Sequence, residues 1–223
     1  MKNIKILFLS MSIVFMQCKN NSEKPVAKTT DTPVVKAQIR KNIVFFGNSL
    51  TAGYGLEDVS KGFVGLIQER IDSLGLPYRC INAGLSGETT AGGKGRIDWV
   101  IEQQPVDIFI LELGGNDALR GIQPADGINN LQNIIDKVRT KNPIAKVILA
   151  GMEAPRNMGS AYTKAFHDMY PTLAKKNNVS LIPFILEGVG GVADLNQKDG
   201  IHPTEAGNKI ITETIWQTLK TVL

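Results

Sequence analysis

The sequence predicts an α/β fold, a three-layer α/β/α sandwich built on a five-stranded parallel sheet. From residue 41 onward, short apolar runs alternate with segments of helical periodicity, without an internal repeat. The run VDIFILEL is nearly continuously apolar, which is typical of a parallel strand covered by helices on both faces. Strands and helices that alternate in this way form one sheet between two helical layers.

Each strand and helix is predicted from its own segment. The five strands are predicted in NIVFF, YRCINA, VDIFILELGGND, AKVILAGM and VSLIPFI. The five helices are predicted in GFVGLIQERIDSLG, in residues 89–103, in ADGINNLQNIIDKVRTKN, in residues 160–177 and in residues 204–223. Thr204 is expected to cap the last helix, and the two tryptophans, Trp99 and Trp216, are expected to pack against the body of the domain.

Composition excludes several classes of function. The chain has 223 residues and a net charge of +4, and its basic residues are scattered, so no nucleic-acid-binding surface is expected. Two cysteines and two histidines are too few for a zinc cluster of the usual spacing. The part of the chain beyond the N-terminal region is long enough for one well-buried domain.

The N-terminus is predicted to direct export. Residues 1–17 combine two lysines with a short apolar segment, and Cys18 follows directly, so this region resembles a bacterial lipoprotein signal peptide with Cys18 as the lipidated residue. A plain secretory signal or an uncleaved anchor remains open. Residues 18–39 are polar and are expected to form a flexible tether, and residues 40–223 form the domain. The protein is thus expected in the bacterial cell envelope, anchored to a membrane or periplasmic.

Four polar segments follow predicted strands or precede the last helix: GNSL, NAGLSGETT, GGND and DGIHP. Because ligands of parallel α/β proteins bind at the carboxyl ends of the strands, these segments are expected to meet at one edge of the sheet. Each alone is more often an ordinary turn or cap. Their joint occurrence, in this order, indicates a catalytic site.

The residue types suit acyl transfer. Ser49 supplies a hydroxyl, His202 an imidazole base, and Asp199 a carboxylate that can orient the imidazole. The N–H groups of Ser49 and Gly87 and the side-chain amide of Asn116 are candidate donors to an oxyanion.

The blocks GNSLTAGYG, NAGLSGETT, LELGGNDALRGIQP and DGIHP resemble those of the SGNH, or GDSL-type, hydrolases, and LGGNDALRGIQP resembles their thioesterase, lysophospholipase and arylesterase branch. The resemblance implies a flavodoxin-like fold, a catalytic set of Ser49, Asp199 and His202, and no metal or organic cofactor. It also implies a small acyl ester or thioester as substrate. The loop after Asn116 would contact the acyl chain, and the expected pocket residues are Tyr54, Leu119 and Ile122.

Asn48 departs from the family pattern, which usually has Asp before the serine. We expect Asn48 to keep the turn by bonding nearby backbone, as an aspartate would. Asn48→Asp is therefore predicted to stay active and to move the acidic limb of kcat/KM to higher pH by less than about one unit.

Three functions remain open at this stage. The leading prediction is a cell-envelope serine esterase that acts on acyl esters or thioesters through an acyl-Ser49 intermediate. The alternatives are a carbohydrate O-acetylesterase and a non-catalytic binding lipoprotein of the envelope. The sequence does not define the oligomeric state.

Overall fold

The computed structural model describes residues 39–223. The predicted signal peptide, Cys18 and nearly all of the predicted tether lie outside the described residues. Within residues 39–223, a parallel sheet is covered by helices on both faces.

The sheet has five strands in the spatial order β2-β1-β3-β4-β5, and all neighbouring strands are parallel. This is the strand order of a flavodoxin-like doubly wound sheet. The predicted fold class is confirmed. The strands are β1 (Lys41–Gly47), β2 (Tyr78–Gly84), β3 (Ile108–Glu112), β4 (Lys146–Ala150) and β5 (Ser180–Ile182).

In the described part of the chain, seven α-helices connect and cover these strands. They are α1 (Ser49–Ala52), α2 (Phe63–Ser73), α3 (Thr90–Gln103), α4 (Gly115–Leu119), α5 (Pro124–Lys141), α6 (Ser160–Asn177) and α7 (Glu205–Leu219). Helices α2 and α7 pack together, while α3, α5 and α6 pack in sequence against one another. Thr204 caps α7 as predicted, because its side chain accepts a hydrogen bond from the N–H of Gly207.

The centre of the sheet forms the core. All five residues of β3 are buried, and so are residues 42–47 of β1, as expected for strands covered on both faces. In the register, Gly47 pairs with Gly84 of β2 on one side and with Glu112 of β3 on the other. This register places a buried carboxyl group beside the point where β1 ends.

Two expectations about packing and length need correction. Trp216 packs against the core, but Trp99 is 63% exposed, so it is not a packing residue. Strand β5 is shorter than VSLIPFI, because Pro183 has no N–H to continue the ladder and the chain turns so that the Ile185 N–H donates to the Gly151 carbonyl.

Candidate active site

The four segments singled out in the sequence lie after β1, β2 and β3 and before α7. Ser49 is the first residue of α1 and is 9% exposed. Its position follows from Asn48, which caps the short helix by accepting a hydrogen bond from the Leu50 N–H at 3.0 Å. The cap ends β1 and turns the chain so that Ser49 follows at once.

Ser49, His202 and Asp199 form a continuous hydrogen-bonded chain. The Ser49 hydroxyl lies 2.8 Å from Nε2 of His202, and Nδ1 of the same ring lies 2.6 Å from Oδ2 of Asp199. The His202 side chain is 16% exposed, so the ring is largely enclosed yet reachable. The geometry is that of a hydroxyl, a base and an orienting carboxylate.

The loop that carries Asp199 folds back on itself. The second oxygen, Oδ1, accepts hydrogen bonds from the N–H groups of Ile201 at 2.9 Å and His202 at 3.0 Å, and Gly200 takes a φ of 72°. The His202 side chain, followed by these two N–H groups, lowers the pKa of Asp199 to about 2. Asp199 is therefore an anion at neutral pH.

Gln197 joins this loop to the loop after Ser49. Its side-chain amide donates to the Tyr54 carbonyl at 2.8 Å and to the Pro203 carbonyl at 3.0 Å. The Tyr54 ring also packs against the His202 ring, with 4.6 Å between centroids. Gln197 was not predicted from the sequence. Its side chain lies so close to Gly55 that a Cβ there would be 2.1 Å from the Gln197 side-chain oxygen.

The candidate oxyanion donors lie on three neighbouring loops. In the part of the chain that the structure describes, the N–H groups of Ser49 and Gly87 donate no hydrogen bond. Gly87 has a φ of 79°, a conformation that favours glycine. The Asn116 amide donates one N–H to the Glu88 carbonyl at 3.0 Å, and its second N–H has no acceptor in the described chain. These N–H groups can therefore donate hydrogen bonds to a negative charge that develops on a substrate.

Polar contacts hold the loop that carries Gly87. Arg120 donates to the Gly87 carbonyl at 3.0 Å. Asp117, which is 2% exposed, accepts hydrogen bonds from the N–H and the hydroxyl of Thr90. The segment that carries Asn116 is thereby tied to the loop that carries Gly87. None of these ties was predicted from the sequence.

Exposed apolar side chains occur in the same loops. Tyr54 is 54% exposed and Leu119 is 52% exposed, whereas Ile122 is only partly exposed and its carbonyl accepts a hydrogen bond from Tyr162. Leu85 and Ile201, each at least 46% exposed, were not predicted.

A surface groove lies apart from this site. It has a volume of about 430 Å³, follows β4 and is lined by residues that include Glu153, Arg156 and His167, but not Ser49 or His202. Among residues 39–223, no group of three or more His, Cys, Asp or Glu side chains is arranged to hold a metal ion.

A doubly wound parallel sheet whose strand-end loops join serine, histidine and aspartate by hydrogen bonds defines the serine hydrolase class of site. The chain belongs to the GDSL-like Lipase/Acylhydrolase family, whose model matches residues 45–210. It is a GDSL/SGNH-type ester hydrolase.

Individual relatives agree with this assignment. The esterase TesA of Pseudomonas aeruginosa is 41% identical over 82% of this chain and 90% of its own length. Thioesterase 1/protease 1/lysophospholipase L1 of Escherichia coli K12 is 33% identical over 80% of this chain and 83% of its own. A crystal structure of TesA superimposes with a TM-score of 0.78 at 41% identity, covering 82% of this chain and all of that one.

Proposed function

We propose that the protein is a cell-envelope serine esterase that hydrolyses acyl esters or thioesters through an acyl-Ser49 intermediate. The observation that carries the proposal is the hydrogen-bonded chain from Ser49 through His202 to Asp199. The names of the relatives, which include an esterase and a thioesterase with lysophospholipase activity, support an acyl substrate.

In the first half-reaction, His202 Nε2 takes the proton of the Ser49 hydroxyl while the serine oxygen attacks the acyl carbon. The carbonyl oxygen becomes an oxyanion that accepts hydrogen bonds from the N–H groups of Ser49 and Gly87 and from the Asn116 amide. Collapse of the tetrahedral intermediate breaks the bond to the alcohol or thiol, which leaves with the proton held by His202.

In the second half-reaction, water attacks the acyl-Ser49 ester and His202 removes a proton from that water. The tetrahedral intermediate collapses to the carboxylic acid, and Ser49 recovers its proton from His202. Asp199 holds the ring orientation and stabilises the imidazolium in both halves, for which it must be ionised. Its pKa of about 2 meets that requirement over the whole neutral range.

The acyl part of the substrate is proposed to contact Tyr54 and Leu119. Both side chains are more than half exposed, and Tyr54 lies directly on the His202 ring. Exposed apolar surface that borders polar catalytic groups is the usual composition of a site for an amphiphilic ligand.

The envelope location is proposed from the predicted lipoprotein signal, in which a lipid on Cys18 would attach the domain to a membrane. A single acyl chain holds a protein at a membrane only weakly, so stable attachment needs a second signal, such as a further lipid chain or a basic segment. No helix within residues 39–223 has the length and hydropathy needed to cross a membrane.

The test is a comparison of kcat/KM for p-nitrophenyl esters of increasing acyl length, an acyl-CoA thioester and acetylated xylan. We expect turnover of the acyl esters, with kcat/KM rising beyond the acetyl ester as the chain contacts Tyr54 and Leu119. Efficient release of acetate from xylan with no gain from a longer acyl chain would indicate a carbohydrate O-acetylesterase. Absence of turnover on every substrate would indicate a binding lipoprotein.

A pair of variants controls the chain-length result. Leu119→Ser should remove the preference for longer acyl chains, because it removes the apolar contact. Trp99→Ser is the matched control, since Trp99 is a 63% exposed apolar residue on α3 that takes no part in the described site. An equal effect of the two substitutions would contradict the proposed acyl contact.

A further inference from the structure

A buried carboxyl group that the proposed mechanism does not use lies beside the nucleophile turn. Glu112 is the last residue of β3 and is 1% exposed. The register of the sheet pairs it with Gly47, two residues before Ser49. A buried carboxyl is costly unless it is hydrogen-bonded, so its contacts define its role.

The hydrogen bonds of the Glu112 side chain come from residues that flank Ser49. Oε1 accepts from the side-chain amide of Asn48 at 2.9 Å. Oε2 accepts from the backbone N–H of Asn48 at 3.2 Å and from the hydroxyl of Thr51 at 2.8 Å. The carboxyl group thus holds the residue before the nucleophile and the second residue after it.

Gly47 makes room for this arrangement. A Cβ at Gly47 would lie 2.5 Å from Oε2 of Glu112 and 2.1 Å from the Thr51 hydroxyl. Glycine at the end of β1 is therefore required by the close approach of the Thr51 and Glu112 side chains.

Asn48 transmits the contact to the nucleophile. Its Nδ2 donates to Glu112, while its Oδ1 accepts from the Leu50 N–H at 3.0 Å and lies 3.4 Å from the Ser49 hydroxyl. The two groups match because the carboxylate of Glu112, when ionised, presents only acceptors, whereas the amide of Asn48 presents both a donor and an acceptor.

Two other ionisable side chains of neighbouring helices, Tyr170 and Asp117, form hydrogen bonds with other partners. Tyr170 of α6 donates its hydroxyl to the Leu113 carbonyl, and Asp117 of α4 is engaged with Thr90. Burial raises the pKa of Glu112 to about 7, against the opposing effect of the hydrogen bonds from Thr51 and Asn48. Burial thus favours the neutral carboxyl, whereas the hydrogen bonds from Asn48 and Thr51 favour the ionised form.

We propose that Glu112 is a positioning residue for Ser49 and that Asn48 is the amide matched to it, so that together they hold the turn that aims the serine hydroxyl at His202. This inference rests on the proposed function, in which Ser49 is the nucleophile. Loss of the contact between Glu112 and Asn48 should lower kcat and leave KM nearly unchanged, because the two residues contact the nucleophile turn and not the substrate.

The test exchanges the amide and the carboxyl. In Glu112→Gln the new NH2 group faces either the Asn48 side-chain amide or the Asn48 N–H, so one donor opposes another, and we expect kcat to fall about tenfold or more with KM nearly unchanged. In Asn48→Asp two carboxyl groups face each other and share one proton. The shared proton replaces the lost amide donor only in part, so we expect the variant to keep activity at a reduced kcat.

The double variant Asn48→Asp/Glu112→Gln restores every contact. The amide introduced at position 112 can donate its NH2 group to the carboxylate introduced at position 48, and its oxygen can accept from the backbone N–H of position 48 and from Thr51. We expect the double variant to recover most of the kcat that Glu112→Gln loses. A double variant that is no better than Glu112→Gln, or an unchanged kcat in Glu112→Gln, would overturn the proposal.

Further variants keep the test informative if Glu112→Gln folds poorly. Thr51→Val removes one donor to Glu112 and keeps the side-chain volume, and it should lower kcat several-fold with KM unchanged; an unaffected kcat would count against the proposal. Glu102→Gln on α3 is the matched control, because Glu102 is exposed and the substitution should leave both constants unchanged. Fluorophosphonate labelling of the wild-type protein separates the two hypotheses. If Ser49 is not labelled, the proposed function is wrong. If Ser49 is labelled but the double variant recovers no kcat relative to Glu112→Gln, only the positioning role is wrong.

Discussion

Asn116 has two separable tasks in the described geometry. One N–H of its amide holds the Glu88 carbonyl at 3.0 Å, and the other is proposed to stabilise the oxyanion. We predict that Asn116→Ala lowers kcat on the order of 10²-fold with a much smaller change in KM, because the lost donor acts mainly on charge that develops in the transition state.

Arg120→Ala is the control for the first of these tasks. It removes a contact to the Gly87 carbonyl, and thus a tie to the same loop, without removing an oxyanion donor. Its kcat should fall by less than about tenfold. Steady-state kinetics of both variants on one ester test the role of Asn116. A large rise in the KM of Asn116→Ala at constant kcat would mean that Asn116 binds the substrate and does not stabilise the transition state.

Glu112 also predicts how stability depends on pH. Burial raises the pKa of Glu112 to about 7 from 4.5, so the folded state binds a proton that the unfolded state has lost between these two values. The contribution of Glu112 to the free energy of unfolding is therefore fully present below pH 4.5 and is lost as the pH rises to about 7. The loss corresponds to about 3 kcal/mol.

Denaturant unfolding of the wild type and Glu112→Gln at about pH 5 and about pH 8, on either side of the raised pKa, measures this effect. The free energy of unfolding of the wild type relative to the variant should be larger at the lower pH. The same difference at both pH values, or a larger one at the higher pH, would show that Glu112 is not held with a raised pKa.

The candidate catalytic side chains were easier to identify in the sequence than the residues that hold them. Ser49, Asp199 and His202 were singled out because each carries characteristic chemistry next to a strand or helix boundary. The contact of Asn48 with the Leu50 N–H agrees with the expected turn. Glu112 could not be predicted to face Asn48, because that contact joins residues 64 positions apart and depends on the register of β1 and β3.

The same contact bears on the pH dependence predicted for Asn48→Asp. The sequence alone suggests one extra negative charge near His202. In the structure the new carboxyl would face Glu112, and the two groups would share a proton. The added charge is thus partly offset, which favours a small shift of the acidic limb.

The strands and long helices were predictable because each extends over enough residues to show its period. Helices α1 and α4 were not predicted, since four or five residues do not define a helical period and both depend on caps at strand ends. These short helices carry Ser49 and Asn116, so the least predictable helices are the ones that present the candidate catalytic groups.

The contact between the Ser49 and His202 loops predicts an effect of Gly55→Ala. A Cβ there would lie 2.1 Å from the Gln197 side-chain oxygen, and Gly55 has a φ of 76°. We expect kcat/KM to fall about tenfold or more, because Gln197 must move and the His202 loop moves with it. The thermal midpoint should also fall.

Gly75→Ala is the matched control for backbone strain. Gly75 has a φ of 63°, and a Cβ there meets nothing within 4 Å. The backbone strain in Gly75→Ala should lower the free energy of unfolding by about 1 to 2 kcal/mol and leave kcat/KM unchanged. Equal kinetic effects of the two variants would refute the proposed link between the loops.

Cys18 lies outside the described residues, and its role is a prediction about how the domain is attached. If Cys18 is lipidated, wild-type protein in a bacterial host should incorporate a fatty-acid analogue and sediment with membranes. Cys18→Ser should abolish the label and leave the membrane fraction without the protein. A wild-type chain that never incorporates the analogue would rule out the lipoprotein assignment and leave a plain secretory signal or an uncleaved anchor.

The assignment of Ser49 as the nucleophile connects the fold, the hydrogen-bonded chain and the proposed reaction. The most direct measurement is the reaction of the protein with a fluorophosphonate, followed by intact mass and peptide mapping, in the wild type and in Ser49→Ala. We predict one adduct per chain, located on Ser49, and a Ser49→Ala protein that takes up no label and hydrolyses esters at least about 10³-fold more slowly. An adduct on another residue, or a Ser49→Ala variant with near-wild-type turnover, would contradict the account.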